Sequence, residues 1–317
     1  VAVELGAEVI GADAFQIYEG FDVLSGKPGL DLMRKVPHHL VGTVALSEQM
    51  NAARFRDLAL PVIDQINRRG KVPVVVGGSG LYIKSLTDGL ADLPAADPEL
   101  RGQLKEVTTE ELSTQLRSLD PQAAARVDTK NRRRLIRAIE IAVLGQRPVP
   151  EQRTQSANHK ILGTSAGSRC HEGGDGHQSG ISGPRMISPG SASGRCHKSA
   201  HGVFVFRDRD QLYERINQRV EGMLRNGAID EVKNGRGLSA TAEQMIGVGD
   251  IRKHLSGQIS LAECIAAIQQ ATRRYAKRQL TWFRHQTTFE PLNLSLLNYN
   301  EAVKWVVRQA LAAAHGE

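Results

Sequence analysis

Hydrophobic and polar residues in the first part of the chain alternate between two spacings, which predicts alternating helices and strands. Apolar residues recur at helical spacing over 51–69, where Asn51 is a candidate N-cap and Gly70 a candidate C-cap. A strand is predicted over 9–11, and the apolar run over 72–76 is typical of a buried parallel strand. This second strand leads into a glycine-rich turn and a helix, which is the order of an α/β unit that handles phosphate.

Helical periodicity dominates most of the remaining chain. Positions 91–150 are predicted to be mainly helical, and the clearest segment is 131–144, where apolar residues alternate with a cluster of arginines. Further helices are predicted over 207–235, 241–255, 260–286 and 299–314. The pattern therefore predicts an α/β class of fold with a large helical share.

Residues 154–202 interrupt this pattern. Glycine, serine and histidine dominate there, no periodicity is visible and there is little to bury, so we predict disorder. The abrupt change resembles out-of-frame translation or a low-complexity insertion. We therefore divide the chain into an α/β part (1–100), a helical insertion (101–153), the low-complexity segment (154–202) and a helical C-terminal part that completes the core (203–317).

Composition narrows the class of protein without identifying it. The chain has 317 residues, 40% of them hydrophobic, and no apolar run long enough to cross a bilayer. Its net charge of +7 favours an anionic partner, and a basic surface with no such partner is the alternative. Three cysteines, an odd and sparse number, favour a reducing compartment.

Two Cys-His pairs in the low-complexity segment raise the question of a zinc site. Cys170-His171 and Cys196-His197 supply enough ligands for one ion. Neither pair has the spacing between cysteines or between histidines that zinc sites use, so zinc is disfavoured.

Residues suited to chemistry follow both predicted strands. Asp13 comes directly after the first strand, where a carboxylate can act as a general base, and the Gln16 amide can read the edge of a base. Taken alone, a turn or capping role for Asp13 is more common. The Gly-Gly-Ser-Gly run at 77–80 offers N–H groups, a hydroxyl and a helix N-terminus to an anion, and a tight turn is the alternative.

The strongest single signal is the segment 272–284, which combines five cations with three aromatic rings. Basic side chains bind phosphates, and flat rings such as Tyr275, Trp282 and Phe283 stack on bases. Cations four residues apart repel one another on a helix, so we favour a phosphate partner over a solvated face here. The arginine cluster at 132–137 is open to both interpretations.

Taken together and in this order, these segments resemble the tRNA dimethylallyltransferase (tRNA isopentenyltransferase) family. The resemblance covers 1–152 and 203–290, and it rests on collinear matches at 13–18, 20–23, 27–28, 37–40, 77–82, 97–101, 134–140 and 272–284. It implies a P-loop-type α/β core with a helical insertion. It also implies transfer of a dimethylallyl group from dimethylallyl diphosphate to N6 of the adenine 3′ of the tRNA anticodon, which is flipped out into a channel.

The resemblance implies roles for particular residues. Asp13 is the general base for the exocyclic amine, and Ser79 replaces a threonine that bonds the diphosphate. Gln16 helps to hold the flipped base, and Arg101 matches an arginine that contacts tRNA. Further contacts with substrate or tRNA are implied for Ala14, Phe15, Lys27, Gly77, Gly78, Arg133, Arg134, Arg137, Gln244, Gly247, Arg273, Lys277, Arg278 and Arg284. Mg²⁺ is implied as the cofactor, the anticodon stem-loop as the partner, and a cytoplasmic monomer without membrane association as the working form.

The chain departs from the family pattern in four places. The N-terminal strand with its phosphate loop is absent, Ala14 replaces a serine, and Gly249 stands where an arginine is usual. Residues 154–202 replace the sequence that joins the insertion to the core. We therefore expect little or no activity from residues 1–317 as written, and substantial prenyl transfer by the purified chain contradicts this expectation.

Three other functions compete with this one. An adenylate isopentenyltransferase acts on free AMP and needs no surface for tRNA, so the basic segment and the helical insertion argue against it. A non-catalytic RNA-binding remnant predicts salt-sensitive tRNA binding without turnover. A small-molecule kinase is the most distant, because no Gly-x-x-x-x-Gly-Lys-Ser/Thr loop for ATP is visible.

Overall fold

A three-stranded parallel sheet carries the first part of the chain. The computed structural model describes residues 1–91, 93–145 and 201–315. The strands β1 (Glu8–Gly11), β2 (His38–His39) and β3 (Pro73–Val76) lie in the order β2-β1-β3. Val9 of β1 pairs with His38 on one side and Val74 on the other. Both predicted strands are confirmed.

The predicted burial of the second strand is wrong. The side chains of Val72 and Val76 are 48% and 54% exposed. The reason is that β3 lies at the edge of the three-stranded sheet, and within the described residues no strand pairs with its outer side. The run of valines therefore predicted the strand correctly, but it did not predict how much of the strand is buried.

Helices α3 (Ala52–Arg68) and α4 (Gly80–Thr87) build the core beside this sheet. Two short helices, α1 (Asp22–Ser25) and α2 (Leu30–Lys35), connect β1 to β2; Leu24 of α1 packs with the C-terminal helices, and α2 buries no residue. The Asn51 side chain accepts a hydrogen bond from the Arg54 N–H, so the predicted N-cap is confirmed. Phe55 of α3 stacks on Tyr82 of α4 with ring centroids 4.3 Å apart, and both are buried against Ile10 of β1. Burying one such side chain contributes roughly 1.5–3 kcal/mol.

A buried carboxylate, Glu8, lies at the start of β1. Glu8 is 7% exposed, and it accepts hydrogen bonds from His39 Nε2 and Arg69 Nη2, each at 2.7 Å. The hydrogen bond from Arg69, followed by the one from His39, lowers the pKa of Glu8 despite its burial. These contacts tie β1 to β2 and to the residue that follows α3.

Four helices follow and form a core of their own. They are α5 (Pro98–Glu106), α6 (Thr109–Leu119), α7 (Pro121–Arg126) and α8 (Arg132–Gly145). Leu112, Leu116, Leu135 and Ile139 are fully buried in this core, as the helical periodicity predicts. Thr108 begins α6 with a capping box. The division at residues 101 and 153 remains a prediction. The segment 146–200, which contains nearly all of the stretch 154–202 that we predict to be disordered, lies outside the described residues.

The C-terminal part combines two strands with five α-helices in the described residues. The strands β4 (Val203–Phe206) and β5 (Glu290–Asn293) pair in parallel. The helices are α9 (Arg209–Arg225), α10 (Ala228–Asn234), α11 (Val248–Leu255), α12 (Leu261–Gln286) and α13 (Tyr299–His315). The sequence analysis missed both strands, because each has four residues and Pro291 occupies β5. No helix among the described residues is long and apolar enough to cross a membrane.

Two of the predicted helices are wrong in their extent. The segment 207–235 divides into α9 and α10 at Gly227, whose φ is +106°. The segment 241–255 divides into a 3-10 turn (Ala242–Gln244) and α11 at Gly247, whose φ is +101°. Such angles favour glycine and end a right-handed helix, although the apolar periodicity runs on through both breaks.

The two glycines at the start of α11 give a matched test of this explanation. Alanine at Gly247 is expected to destabilise the protein by roughly 1–3 kcal/mol, because φ is +101° and a Cβ comes within 3.0 Å of Leu24. Alanine at Gly249 is expected to stabilise it by up to about 1 kcal/mol, because this position is helical and has no atom within 4 Å of a Cβ. Thermal melts of both variants measure the two changes in stability. Equal shifts in melting temperature contradict the explanation from the φ angle of Gly247.

Candidate active site

Asp13 lies where β1 ends, at the start of a tight turn. Its Oδ1 accepts hydrogen bonds from the N–H groups of Phe15 at 2.8 Å and Gln16 at 3.1 Å. This confirms the turn role that the sequence favours for an isolated aspartate. Its Oδ2 accepts no hydrogen bond from the described residues, and the side chain is half-buried. One carboxylate oxygen therefore holds the turn while the other remains available to a substrate.

The glycine turn between β3 and α4 lies directly beside Asp13. The Ser79 Oγ accepts a hydrogen bond from the Ala14 N–H at 2.9 Å, and the Ser79 N–H donates to the Ala12 carbonyl at 3.3 Å. A Cβ on Gly77 falls 2.1 Å from that same carbonyl, so only glycine fits there. In the described structure no acceptor is bound to the N–H groups of Gly78 and Gly80. These groups can bind an anion.

Helix α12 covers the other side of the glycine turn. Gln279 Nε2 donates to the Gly78 carbonyl at 2.8 Å, and the Trp282 ring packs on Gly80 so closely that a Cβ falls 2.4 Å from it. The half-buried Tyr275 lies one helical turn before Gln279 on α12. These three side chains are four and then three residues apart, so they share one face of the helix.

Two tyrosines in this site have raised pKa values. Burial, followed by the negative charge of Asp13, raises the pKa of Tyr275 above its ordinary value. Burial, followed by Tyr18 and Asp13, raises the pKa of Tyr82 well above its ordinary range. Both hydroxyls therefore remain able to donate hydrogen bonds at neutral pH. The sequence analysis missed Tyr82 and Gln279, and it assigned Tyr275 to stacking on bases only.

Three further residues predicted to bind substrate also make contacts within the protein. Gln16 Nε2 donates to the Gly26 carbonyl at 3.0 Å, which leaves its Oε1 for other partners. Lys27 is largely buried, and its Nζ donates to the Gly20 carbonyl at 2.6 Å and to Asp22 Oδ1 at 2.5 Å. Phe15 packs among the apolar residues of α9–α12. Contacts of these residues with substrate remain predictions.

The four arginines predicted to contact tRNA or substrate in the helical insertion fall into two groups. Arg101 Nη2 and Arg137 Nη1 donate to Glu140 Oε2 at 2.8 and 2.5 Å, and Glu140 is completely buried. Arg133 and Arg134 are exposed on α8. Proximity in the sequence thus grouped Arg137 with Arg133 and Arg134, although Arg137 binds a buried carboxylate and the other two are exposed.

The basic segment on α12 is similarly divided. Arg273 Nη2 donates to Asn217 Oδ1 at 2.5 Å, and its guanidinium lies 5.3 Å from the centroid of the Tyr213 ring, so it joins α12 to α9. The exposed cations are Arg274, Lys277, Arg278 and Arg284. We refer to these four as the cationic face of α12. Because residues three and four apart are neighbours on a helix, this face runs beside Tyr275, Gln279 and Trp282.

The expectation that all three rings of this segment stack on bases is wrong for Phe283. This ring is 7% exposed and stacks on Phe204 of β4 with centroids 5.2 Å apart. Trp282 is half-buried, with its ring against Gly80 and its edge against Phe283. Aromatic residues on a helix become part of the core when another element packs over them.

The remaining predicted contacts lie before and within α11. Gln244 is exposed, and its Nε2 donates to the Ala240 carbonyl at 2.7 Å. Gly247 is buried against Leu24 and Ile268. Gly249 is exposed with open space around it, so an arginine side chain fits at this position.

The site offers few ligands for a metal ion. Among residues 1–91, 93–145 and 201–315, no three His, Cys, Asp or Glu side chains lie close enough to hold one. At the glycine turn Asp13 supplies one carboxylate oxygen and Ser79 one hydroxyl, which is fewer than the six ligands of Mg²⁺. A Mg²⁺ ion here therefore needs phosphate oxygens and water for most of its coordination. The two Cys-His pairs of the sequence lie outside the described residues.

Comparisons with known proteins agree with one another. The IPP transferase family model matches residues 16–286, a range that begins just after Asp13. The tRNA dimethylallyltransferase 1 of Citrifermentans bemidjiense is 38% identical over 287 residues, which cover 89% of this chain and 82% of the relative. The tRNA dimethylallyltransferase of Geobacter metallireducens is 36% identical over 295 residues, which cover 90% and 84%.

Solved structures support the same fold. The full-length tRNA isopentenylpyrophosphate transferase from Bacillus halodurans matches with a TM-score of 0.63 and 29% identity, and the match covers 99% of this chain and 91% of that protein. A eukaryotic dimethylallyltransferase acting on tRNA matches with a TM-score of 0.69 at 20% identity, and this likeness concerns the fold alone. The predicted class, an α/β fold with a parallel sheet and many helices, is confirmed.

Proposed function

We propose, since the chain belongs to the IPP transferase family, that its site transfers a dimethylallyl group from dimethylallyl diphosphate to N6 of the adenine 3′ of a tRNA anticodon. The observation that carries this proposal is the free Oδ2 of Asp13 beside a turn with unpaired N–H groups. A base for the acceptor and a binding surface for the leaving group thus lie next to each other.

The chemistry needs both halves of this arrangement. An exocyclic amine is a weak nucleophile, because its lone pair is delocalised into the ring. The nitrogen–carbon bond forms as the carbon–oxygen bond to diphosphate breaks, and the amine proton passes to Asp13 Oδ2. The diphosphate leaves with negative charge, which the Ser79 hydroxyl and the N–H groups of Gly78 and Gly80 stabilise.

The tRNA surface is proposed to be the cationic face of α12 together with Arg133 and Arg134 of α8. All of these side chains are exposed, in contrast with Arg273, which is bound to Asn217. Exposed cations bind the phosphates of the stem-loop, and the adenine is flipped from the loop at a cost of a few kcal/mol. Because this face borders Tyr275 and Trp282, a bound loop can deliver its base to Asp13.

Several finer expectations accompany this proposal. Mg²⁺ is proposed as the ion that neutralises the diphosphate, bound mainly by phosphate oxygens and water. RNA binding, the prenyl donor, a cytoplasmic location and a monomeric state are likewise proposed. The positive charge of the chain and its exposed cations support the RNA partner.

A transfer assay tests the function. Labelled dimethylallyl diphosphate is incubated with the purified chain and an anticodon stem-loop that has adenine 3′ of the anticodon, with guanine at that position, or with free AMP. We run residues 1–317 beside a version in which a relative's strand and phosphate loop precede Val1. Label on the adenine stem-loop alone supports the proposal. Label on AMP favours the adenylate isopentenyltransferase. If both forms are folded and bind the stem-loop but transfer no label, then the RNA-binding remnant is favoured and the proposal is overturned.

Neutralising the cationic face is expected to weaken tRNA binding. Arg274→Gln together with Arg278→Gln removes two exposed cations four residues apart, so the slope of log affinity against log salt should fall by roughly 1.4–1.8. Lys304→Gln with Arg308→Gln is the matched control, because these residues are also exposed cations four apart on a helix. Filter binding of the stem-loop at several salt concentrations gives the slopes. Equal slopes for both double variants contradict the assignment.

A further inference from the structure

We propose that Glu231 is a positioning residue that sets the preference of the site for adenine, an inference that rests on the proposed function. Glu231 lies in α10 and binds the first turn of α1. Its Oε1 accepts a hydrogen bond from the Val23 N–H, and its Oε2 accepts one from the Leu24 N–H, each at 2.8 Å. Glu231 acts through α1 on the amide of Gln16, the residue predicted to hold the flipped base.

Helix α1 depends on Glu231 because it has no cap of its own. A helix of four residues makes too few internal hydrogen bonds to form by itself, and its first N–H groups need acceptors from elsewhere. An N-cap side chain usually accepts from the second or third N–H of a helix. The N-cap of α1 is Phe21, whose side chain has no acceptor and whose φ is +47°. The Glu231 carboxylate binds the N–H groups of the second and third residues in its place.

The other end of α1 holds Gln16. Ser25 is the last residue of α1, and Gly26 is its C-cap, with a φ of +64°. Gln16 Nε2 donates to the Gly26 carbonyl at 3.0 Å and to the Ser25 carbonyl at 3.4 Å. Because four helical residues rise only about 6 Å, the carboxylate at one end of α1 and the carbonyls at the other are held by a single turn. A shift of α1 at Glu231 therefore moves the acceptors of the Gln16 amide.

The orientation of the Gln16 amide decides which base it recognises. An amide nitrogen donates hydrogen bonds and an amide oxygen accepts them, so binding of Nε2 to α1 leaves Oε1, an acceptor, for the base. Adenine carries an amine donor at the position where guanine carries the O6 acceptor, so Oε1 favours adenine. The N6 amine has two N–H groups, and one can bind Gln16 while Asp13 takes the other proton. Asp13 and Gln16 belong to the same turn, since Asp13 Oδ1 accepts from the Gln16 N–H at 3.1 Å.

Binding of two stem-loops to residues 1–317 tests this assignment. The measured quantity is the Kd for a stem-loop with guanine 3′ of the anticodon, divided by the Kd for the same stem-loop with adenine. Glu231→Gln turns an N–H₂ group toward one N–H of α1, so this ratio is expected to fall about 5-fold, and Glu231→Ala should lower it at least as far. Both variants are expected to fold, because Leu24 remains buried among the C-terminal helices. Asp230→Asn is the matched control, since Asp230 is the exposed carboxylate that precedes Glu231 on α10.

The ratio of the two Kd values distinguishes positioning from a loss of stability. A variant that is only less folded binds both stem-loops less tightly by the same factor and keeps the ratio. Gln16→Met removes the amide and should abolish most of the preference. Because Glu231 acts through Gln16, adding Glu231→Gln to Gln16→Met should leave the ratio as it is. The proposal is overturned by equal binding of both stem-loops to the unmodified chain, by an unchanged ratio in both Glu231 variants, or by a further fall in the double variant.

Turnover separates this proposal from the function on which it rests. In whichever form of the transfer assay is active, Glu231→Gln is expected to raise KM for the adenine stem-loop about 5-fold and to leave KM for dimethylallyl diphosphate unchanged, because Glu231 holds α1 rather than the glycine turn. If the chain prefers adenine through Gln16 and Glu231 but neither form transfers label, then the proposed function fails and the role of Glu231 stands. If an active form transfers label while Glu231→Gln behaves like Asp230→Asn, then the function stands and the role of Glu231 is overturned. If there is neither transfer nor a preference for adenine, both proposals are overturned.

Discussion

Replacing Asp13 by asparagine, in whichever of the two forms of the transfer assay is active, is expected to lower the rate of prenyl transfer by roughly 10²- to 10⁴-fold. The amide oxygen of asparagine can still accept hydrogen bonds from the N–H groups of Phe15 and Gln16, so the turn after β1 should persist. The amide nitrogen takes the place of the free Oδ2 and cannot accept a proton. The variant therefore removes the base while keeping the local structure.

Single-turnover measurements with saturating dimethylallyl diphosphate isolate this step from product release. Asp31→Asn is the matched control, because Asp31 is an exposed aspartate in the first turn of α2 and has no place in the site. Its rate should equal that of the unmodified chain. An Asp13→Asn variant that turns over as fast as the control refutes the assignment of Asp13 as the base.

The largest loss of stability is expected from Glu140→Gln. Glu140 is fully buried, and it accepts hydrogen bonds from the Asp97 N–H at 2.7 Å and from Arg101 and Arg137. It thereby joins the start of α5 to α8. Glutamine removes the charge and turns an N–H₂ group toward at least one of these donors. We expect a loss of about 2–3 kcal/mol, less than for a fully buried pair, because the two arginines are 40% and 33% exposed.

The effect of Glu140 on stability should also depend on pH. Burial alone raises the pKa of Glu140, but hydrogen bonds from Arg101, Arg137 and Asp97 outweigh it and lower the pKa below its ordinary value. A carboxyl whose pKa is lower in the folded protein stabilises it fully above the unfolded pKa of about 4.5. This contribution is lost as the pH falls through the lowered folded pKa.

Thermal melts between pH 3 and pH 7 measure both effects. The difference in melting temperature between the unmodified chain and Glu140→Gln should be several degrees at pH 7 and should shrink below about pH 4.5. Glu106→Gln is the control, since Glu106 is exposed at the end of α5 and should change stability by less than about 0.5 kcal/mol. A difference for Glu140→Gln that stays constant down to pH 3 contradicts the ion-pair explanation.

Apolar spacing and capping residues predicted the helices and turns whose formation depends on residues close together in the chain. The apolar spacing and the Asn51 cap predicted α3 almost to its ends, and the same reasoning placed α8, α12 and α13. Asp13 and the glycine turn were identified as candidate chemistry, because both follow strands in an α/β pattern. The collinear order of these segments also indicated the family, which the comparisons confirm.

Partners from distant parts of the chain were beyond such reasoning. Arg101 was expected to contact tRNA, but α8 places the buried Glu140, 39 positions away in the chain, where Arg101 donates to it. Phe283 looked like a stacking ring, yet β4, a strand the pattern did not predict, covers it with Phe204. Gln279 and Gly78 are 201 positions apart in the chain, and the packing of α12 on the glycine turn joins them by a hydrogen bond.

Helix periods, caps and turns depend on residues a few positions apart, so the chain specifies them locally and they can be inferred from it. Whether a cation faces solvent or a buried carboxylate depends on which helix packs opposite it, and the same is true of the Gln279 amide that meets the Gly78 carbonyl. Burial and charge pairing are properties of the assembled core. The kind of chemistry could therefore be predicted from the order of residues, while the division of the basic residues into those that bind other parts of the protein and those that are exposed depended on the packing.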